Sequence, residues 1–305
     1  MQATIQRNSA TRVPSATGLR LKAPGTCGEL MQGAIDEQDF LVNCPVNLFS
    51  YATVHEGDDG LHLHDLHRYT KIRDTIALAA HEYAFRLSHQ VAIRSDIPRG
   101  KGMASSSADI TAALEAVCRS ADIKLTDEIF ARIVTEIEPS DCVHFPGIAH
   151  VNHLTGQLIE SMPAPSGMNV LVVDCGGEID TIAFDRQKAR GIYRKNQPYL
   201  KDALALLKRG LYQGDPLAVA EAATRSAQLN QQIHIKPQFE EMLASTRALG
   251  ALGVNCAHSG TVLGVMYRSS DDLRERLTHD ISRRFGTGIS IVGDFNIISG
   301  GCYDY

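Results

Sequence analysis

The chain has 305 residues, 44% hydrophobic and 21% charged, which is enough for two domains or one large one around a substantial core. A formal charge of −5 offers no basic field to a polyanion and argues against a nucleic-acid partner. No run of about 18 apolar residues is present, so no membrane-spanning helix is expected, and Met1 to Ser15 is polar with no apolar signal core.

The seven cysteines (27, 44, 118, 142, 175, 256 and 302) are odd in number, scattered and free of any C-x-x-C pair. Neither a disulfide framework nor a zinc knuckle is indicated, and a reduced cytoplasmic location is expected.

In chain order, Thr17 to Ala23 reads as a strand running into Pro24-Gly25, and Phe40 to Val54 as β-rich sequence broken by Pro45. Leu61 to Leu66 alternates apolar residues with His and Asp, Thr70 to Phe85 has helical spacing, and Gln90 to Asp96 forms a strand that delivers the chain to Pro98. Between Ala104 and Ala121 the positions Ile110, Ala113, Leu114, Val117 and Cys118 follow i, i+3, i+4 spacing behind serines that start helices well. A second short helix spans Thr126 to Ile137 and stops at Glu138-Pro139, because proline disfavours helix in the preceding residue.

Ile148 to Met162 reads as a hairpin, and Pro163 to Gly167 as a linker that divides the chain into residues 1–165 and 166–305. Beyond it, Asn169 to Asp174, Thr261 to Tyr267 and Gly288 to Val292 are strand patterns. Gln197 to Gly210, Pro216 to Gln232, Pro237 to Leu249 and Asp271 to Phe285 are helical. The whole is an α+β layer structure with no internal repeat.

The segment most suggestive of chemistry is Pro98-Arg99-Gly100-Lys101-Gly102-Met103-Ala104-Ser105-Ser106-Ser107-Ala108, between a strand and a helix. Small residues let the backbone approach a phosphate, and the free amides and dipole of a helix start favour negative charge. No G-x-x-x-x-G-K-[ST] is present, so this is not a Walker A loop. A plain surface turn with a helix cap is the alternative reading. Downstream, Glu138-Pro139-Ser140-Asp141 sets two carboxylates after a helix, suited to positioning a metal and an attacking hydroxyl or simply to capping and solvation.

These residues resemble the GHMP kinase family (galactokinase, homoserine kinase, mevalonate kinase). Pro98, Gly100, Gly102, Ser105, Ser106 and Ala108 match its phosphate motif P-x-G-x-G-L-G-S-S-A-A in register, with Met103, Ala104 and Ser107 as departures. Ala23 to Leu30 resembles the first family motif, and Ala257 to Gly264 the last, with His258 and Thr261 where glycine or alanine is common. The resemblance implies a two-domain fold, with a ribosomal protein S5-like N-terminal domain and a ferredoxin-like C-terminal domain. It also implies ATP and Mg2+ as cofactors, with ATP lying across the serine loop between the domains.

Carried onto this chain, the resemblance gives Pro98, Gly100, Lys101, Gly102, Met103, Ala104, Ser105, Ser106 and Ser107 to ATP, and Ser106 with Glu138 to the metal, Glu128 and Glu136 being weaker choices. It makes Asp141 the group that orients the hydroxyl, and assigns Glu29, Gln32, Ser259 and Gly260 to the acceptor. Where many family members carry Lys or Arg after A-P-G, this chain has Thr26, leaving Lys101, or Lys22, to supply the positive charge beside Asp141.

Cys27 to Gly33, with the serine loop and the last motif, is closest to a subgroup that phosphorylates L-threonine in propanediol utilisation and cobalamin synthesis. The expected partner is therefore a small-molecule alcohol, with L-threonine favoured. Homoserine or a sugar is the alternative, as is a noncatalytic nucleotide-binding role, and a homodimer is compatible with the sequence.

Three other signals are set aside. His62, His64 and His67 read as a polar sheet face rather than a metal site, His81-Glu82 lacks the second histidine of a zinc peptidase, and Cys27 and Cys256 read as small packing residues.

Overall fold

The computed structural model describes residues 18–57, 60–63, 69–177 and 186–305. The strands are β1 (Leu19–Ile35), β2 (Gln38–Glu56), β3 (Gly60–Leu63), β4 (Ser88–Ser95), β5 (Ile148–Asn152), β6 (Gln157–Met162), β7 (Met168–Asp174), β8 (Gly253–Cys256), β9 (Val262–Arg268), β10 (Ser290–Asn296) and β11 (Tyr303–Asp304). The helices are α1 (Thr70–Tyr83), α2 (Ser105–Ser120), α3 (Asp127–Ile137), α4 (Arg186–Lys195), α5 (Gln197–Gln213), α6 (Pro216–Asn230), α7 (Phe239–Ala248) and α8 (Arg274–Phe285).

The strands join one mixed sheet in the order β10-β7-β9-β8-β1-β2-β4-β3, with β11 on β1 and the β5–β6 hairpin branching from β2. The α+β expectation holds, and so do the hairpin and the helix after the serine loop. Two predicted stops do not. β1 runs on past Pro24-Gly25, and β2 past Pro45. Register shifts in the β1–β2 pairing after Pro24, Thr26 and Glu29 absorb the missing amide and bend the strand. α4 and β8 escaped the sequence reading; β8 has only four residues, too few for a periodic signal.

α2 lies against β1 and β2, burying Ile110, Ala113, Leu114, Val117 and Cys118 as its spacing requires. α3 starts where expected, with Thr126 Oγ accepting the Ile129 amide and Asp127 and Glu128 in the first turn. A second core lies under α7 and α8, around Phe239, Met242, Val254, Leu263, Tyr267 and Leu277. The chain end returns to the first half, β11 pairing with β1 and Ile297 bridging to Val46. Among the described residues no helix is long and apolar enough to cross a membrane.

Candidate active site

The three motif segments meet through their backbones. The bulges of β1 turn two amides toward the serine loop: Thr26 N donates to Met103 O (3.0 Å) and Gly28 N to Gly102 O (3.2 Å). From the other side, Thr261 N and Val262 N both donate to Lys101 O, at 3.0 and 3.2 Å. Only glycine fits this junction. A Cβ on Gly102 (φ +79°) would lie 2.8 Å from the Gly260 Cα, and one on Gly260 would lie 2.6 Å from the Gly102 nitrogen.

The loop then opens α2. Ala104 caps the helix in a left-handed conformation and has no side-chain oxygen to offer, so no side chain caps the first turn. Free amides at a helix start, beside open space around the Gly100 backbone, fit a polyphosphate.

Behind the loop, the Glu138 carboxylate accepts hydrogen bonds from Ser106 Oγ and from the Lys71 ammonium, both short. Glu136 is exposed and paired with Arg132, and Glu128 is exposed in the first turn of α3; of the three metal candidates only Glu138 touches the serine loop. Asp141, three residues on, is half-buried. Ser107 Oγ lies 3.4 Å from its Oδ2, and Asn43 Nδ2 donates to its carbonyl at 3.1 Å, with Asn43 Oδ1 fixed in turn by the Ala149 amide at 2.9 Å. Desolvation, then the nearby Glu29 charge, and more weakly Glu138, push the Asp141 carboxyl up to about 7 against the lowering effect of Ser107.

Glu29 is buried and points into the same region. Its Oε2 accepts the backbone amide of His258 at 2.8 Å and lies 2.9 Å from His258 Nδ1, while His258 Nε2 lies 3.0 Å from Ser226 Oγ on α6. Ser226 Oγ also accepts the Gln32 amide at 3.2 Å, so Gln32 enters this network through its main chain. Ser259 and Gly260 sit at the turn beside Gly102.

Lys101 does not stand free beside Asp141. Its ammonium pairs with Asp174 at 3.0 Å and donates to Gly177 O at 3.1 Å, and Asp174 also accepts Thr261 Oγ at 2.6 Å. Lys22 lies 4.4 Å over the Phe49 ring. Thr26, where many family members carry a cation, is buried with its hydroxyl unpartnered.

Of the residues singled out in the sequence, the structure brings Ser106 onto Glu138, Ser107 onto Asp141 and Gly260 onto Gly102. It adds Lys71 beside Glu138, Asn43 beside Asp141 and Ser226 beside His258, all three in ordinary helix and strand patterns. Of the signals set aside, His62 is exposed on β3, while His64 and His67 lie outside the described residues. No cluster of three metal-binding side chains occurs among the described residues. Burial raises the Cys27 thiol well above its usual range and pushes Cys256 up to about 12, as befits packing residues.

This site, a backbone phosphate cradle with a carboxylate raised in pKa beside it, defines a phosphotransferase class. The chain belongs to the GHMP kinase family: residues 70–146 match the model for the GHMP kinases N terminal domain and residues 203–285 that for the GHMP kinases C terminal domain. It is an ATP-dependent phosphotransferase acting on a hydroxyl group.

Among curated proteins it is 30% identical to an L-threonine kinase of Salmonella typhimurium, over 87% of this chain and 86% of that protein. It is 29% identical to an L-threonine kinase of Citrobacter freundii, over 85% and 88%. The fold resembles a homoserine kinase from Cytophaga hutchinsonii (TM-score 0.73, 14% identity, 97% of this chain and 100% of that one). It also resembles the Methanococcus jannaschii mevalonate kinase (TM-score 0.69, 13% identity, 96% and 100%).

Proposed function

We propose that this enzyme phosphorylates the hydroxyl of L-threonine, giving O-phospho-L-threonine, with Mg2+ accompanying ATP. The observation that carries the acceptor is the near full-length similarity to two L-threonine kinases, over 87% and 85% of this chain. The division at 165/166 is part of the proposal, supported by the two family models falling on either side of it. So is a cytoplasmic location, supported by seven free cysteines, five of them buried.

In this reading the amides at the start of α2 and the Gly100–Gly102 backbone hold the triphosphate. Ser106 and Glu138 hold the metal, which when bound would neutralise charge on the phosphate oxygens. Their fit to a cation rests on the hydroxyl and carboxylate already facing each other at the loop, with Lys71 on the far carboxylate oxygen.

Asp141 orients the acceptor hydroxyl and takes its proton. A carboxyl titrating near 7 is a stronger base than an ordinary one and is still substantially ionised at neutral pH. Ser107 and Asn43 fix its direction. Lys101, expected beside Asp141, serves instead to pin the loop to β7 through Asp174.

The test is ADP release by purified protein with Mg-ATP, offered L-threonine, L-serine, L-homoserine, galactose or mevalonate. Threonine as the preferred acceptor supports the proposal. Preference for homoserine or a sugar keeps the family and discards the acceptor.

A further inference from the structure

One buried cation among the described residues has no carboxylate to answer it. Lys236, between α6 and α7, is only 4% exposed, and its ammonium donates to Ala257 O at 2.7 Å. No acidic side chain among the described residues lies within ion-pair distance of it. An ammonium held away from water against a single carbonyl is strongly destabilised unless an anion joins it.

Its surroundings are polar and incompletely satisfied. Asn230, at the end of α6 and buried, has an amide nitrogen with no partner, while its oxygen faces Cys256 Sγ at 3.6 Å. Cys256 is also the residue opposite Glu29 in the β1–β8 pairing, and it feels both the Lys236 and the Glu29 charges. Tyr193 on α4 is buried with an unpartnered hydroxyl, close enough to Glu29 and Cys256 to feel both. Glu29 uses one carboxylate oxygen on His258, and the other makes no hydrogen bond among the described residues.

A buried ammonium with an unpartnered amide nitrogen near it, and a carboxylate with a spare oxygen, complement a zwitterion. A phosphate at the same place would gain from Lys236 but be repelled by Glu29. Glu29 also acts on Asp141, so a group held at Glu29 lies near the proposed base, as an α-ammonium must when the reacting hydroxyl is on the adjacent carbon.

We infer that Lys236 and the Asn230 amide nitrogen receive the α-carboxylate of the acceptor amino acid, and the free oxygen of Glu29 its α-ammonium. The inference rests on the amino-acid acceptor proposed above and supplies the carboxylate partner that no motif contains. Lys236 is then a specificity residue: it decides which alcohols enter, not how the phosphoryl group moves.

The experiment compares kcat/KM for L-threonine with that for L-threonine amide, which keeps the hydroxyl and ammonium but has no carboxylate, in wild type, Lys236→Met and Asn230→Ala. Wild type should prefer threonine by on the order of 100-fold. Lys236→Met should lose most of that preference with its KM for ATP unchanged, and Asn230→Ala should lose about tenfold of it. Lys236→Met should melt no lower than wild type, because it removes an unpaired buried charge.

A preference that survives in both variants overturns the inference. So does a raised KM for ATP with the preference intact, which would assign Lys236 to the nucleotide. A wild type that phosphorylates no hydroxy amino acid overturns the function proposed above, and this inference with it. A wild type that phosphorylates threonine while Lys236→Met keeps the preference overturns this inference alone.

Discussion

Around Gly102 the three motif segments meet through main-chain groups, whereas around Glu29 the contacts run between side chains drawn from β1, α6 and the β8–β9 turn. In the first region the amides of Thr26, Gly28, Thr261 and Val262 all reach carbonyls of residues 101 to 103. In the second, the carboxylate of Glu29, the imidazole of His258 and the hydroxyl of Ser226 form a buried chain. A triphosphate is the same in every kinase, and backbone can hold it whatever the neighbouring side chains are. An acceptor must be told from its competitors, and only side chains carry that information.

The difference can be broken by exchanging the kind of change made in each region. The largest effect should come from a single-atom change on the side-chain side. Asp141→Asn keeps the shape of the site but should lower kcat by about 10³-fold, read as ADP release at saturating threonine, while ATP binding stays within a few-fold. The converse change adds bulk to the backbone region. Gly260→Val should destabilise the fold by about 1–3 kcal/mol in a denaturant titration and weaken ATP binding sharply, since its branched side chain has the Gly102 backbone in its way. If Gly260→Val were as stable and as tight for ATP as wild type, the backbone account of the cradle would be wrong.

Two pH experiments sharpen the side-chain half. Because burial and Glu29 raise the Asp141 carboxyl to about 7, the folded protein holds this proton more tightly than the unfolded chain does. Asp141 therefore favours folding fully at pH values below its ordinary range, and that contribution is lost as pH rises from about 4 through about 7. Asp141→Asn removes this dependence, so thermal melts should show its stability relative to wild type growing across that interval and levelling off above it.

In kinetics, wild-type kcat/KM should rise with pH through about 7 as Asp141 ionises. Glu29→Gln, by removing the neighbouring charge, should move that limb to lower pH; an unmoved limb would separate Glu29 from the base. The smallest effect belongs far from either region: Thr126→Ala, which deletes the α3 cap, should cost about 0.5–1 kcal/mol of stability and leave the kinetics unchanged.

Much of the fold was legible in the sequence because its elements carry strong local signals. α2 announced itself by the spacing of Ile110, Leu114 and Val117, α3 by Thr126 and the proline at 139, and the β5–β6 hairpin by the stretch from Ile148 to Met162 ahead of the Pro163–Gly167 linker. Pro24 and Pro45 misled for the opposite reason. Proline is a local stop signal, but here the bulges of β1 and the pairing with β2 override it, and the first motif lies inside a continuous strand. On the acceptor side, Glu29 could be named from its motif, but Ser226 and Lys236 sit in an alanine-rich helix and the loop after it, where nothing in the neighbouring residues marks them.

By itself, then, the sequence determined that a strand would deliver a glycine- and serine-rich loop to a helix start, because these preferences are set by φ/ψ, capping and periodicity within a few residues. It also placed Glu138 and Asp141 immediately after a helix end. Only the tertiary structure decided that Glu138 rather than Glu136 faces Ser106, that Lys101 is held by Asp174, and that Glu29 and Lys236 share the surroundings of Cys256. Those outcomes depend on charges and hydrogen bonds between residues tens to hundreds of positions apart, whose energies are fixed by burial and distance and leave no periodic trace along the chain.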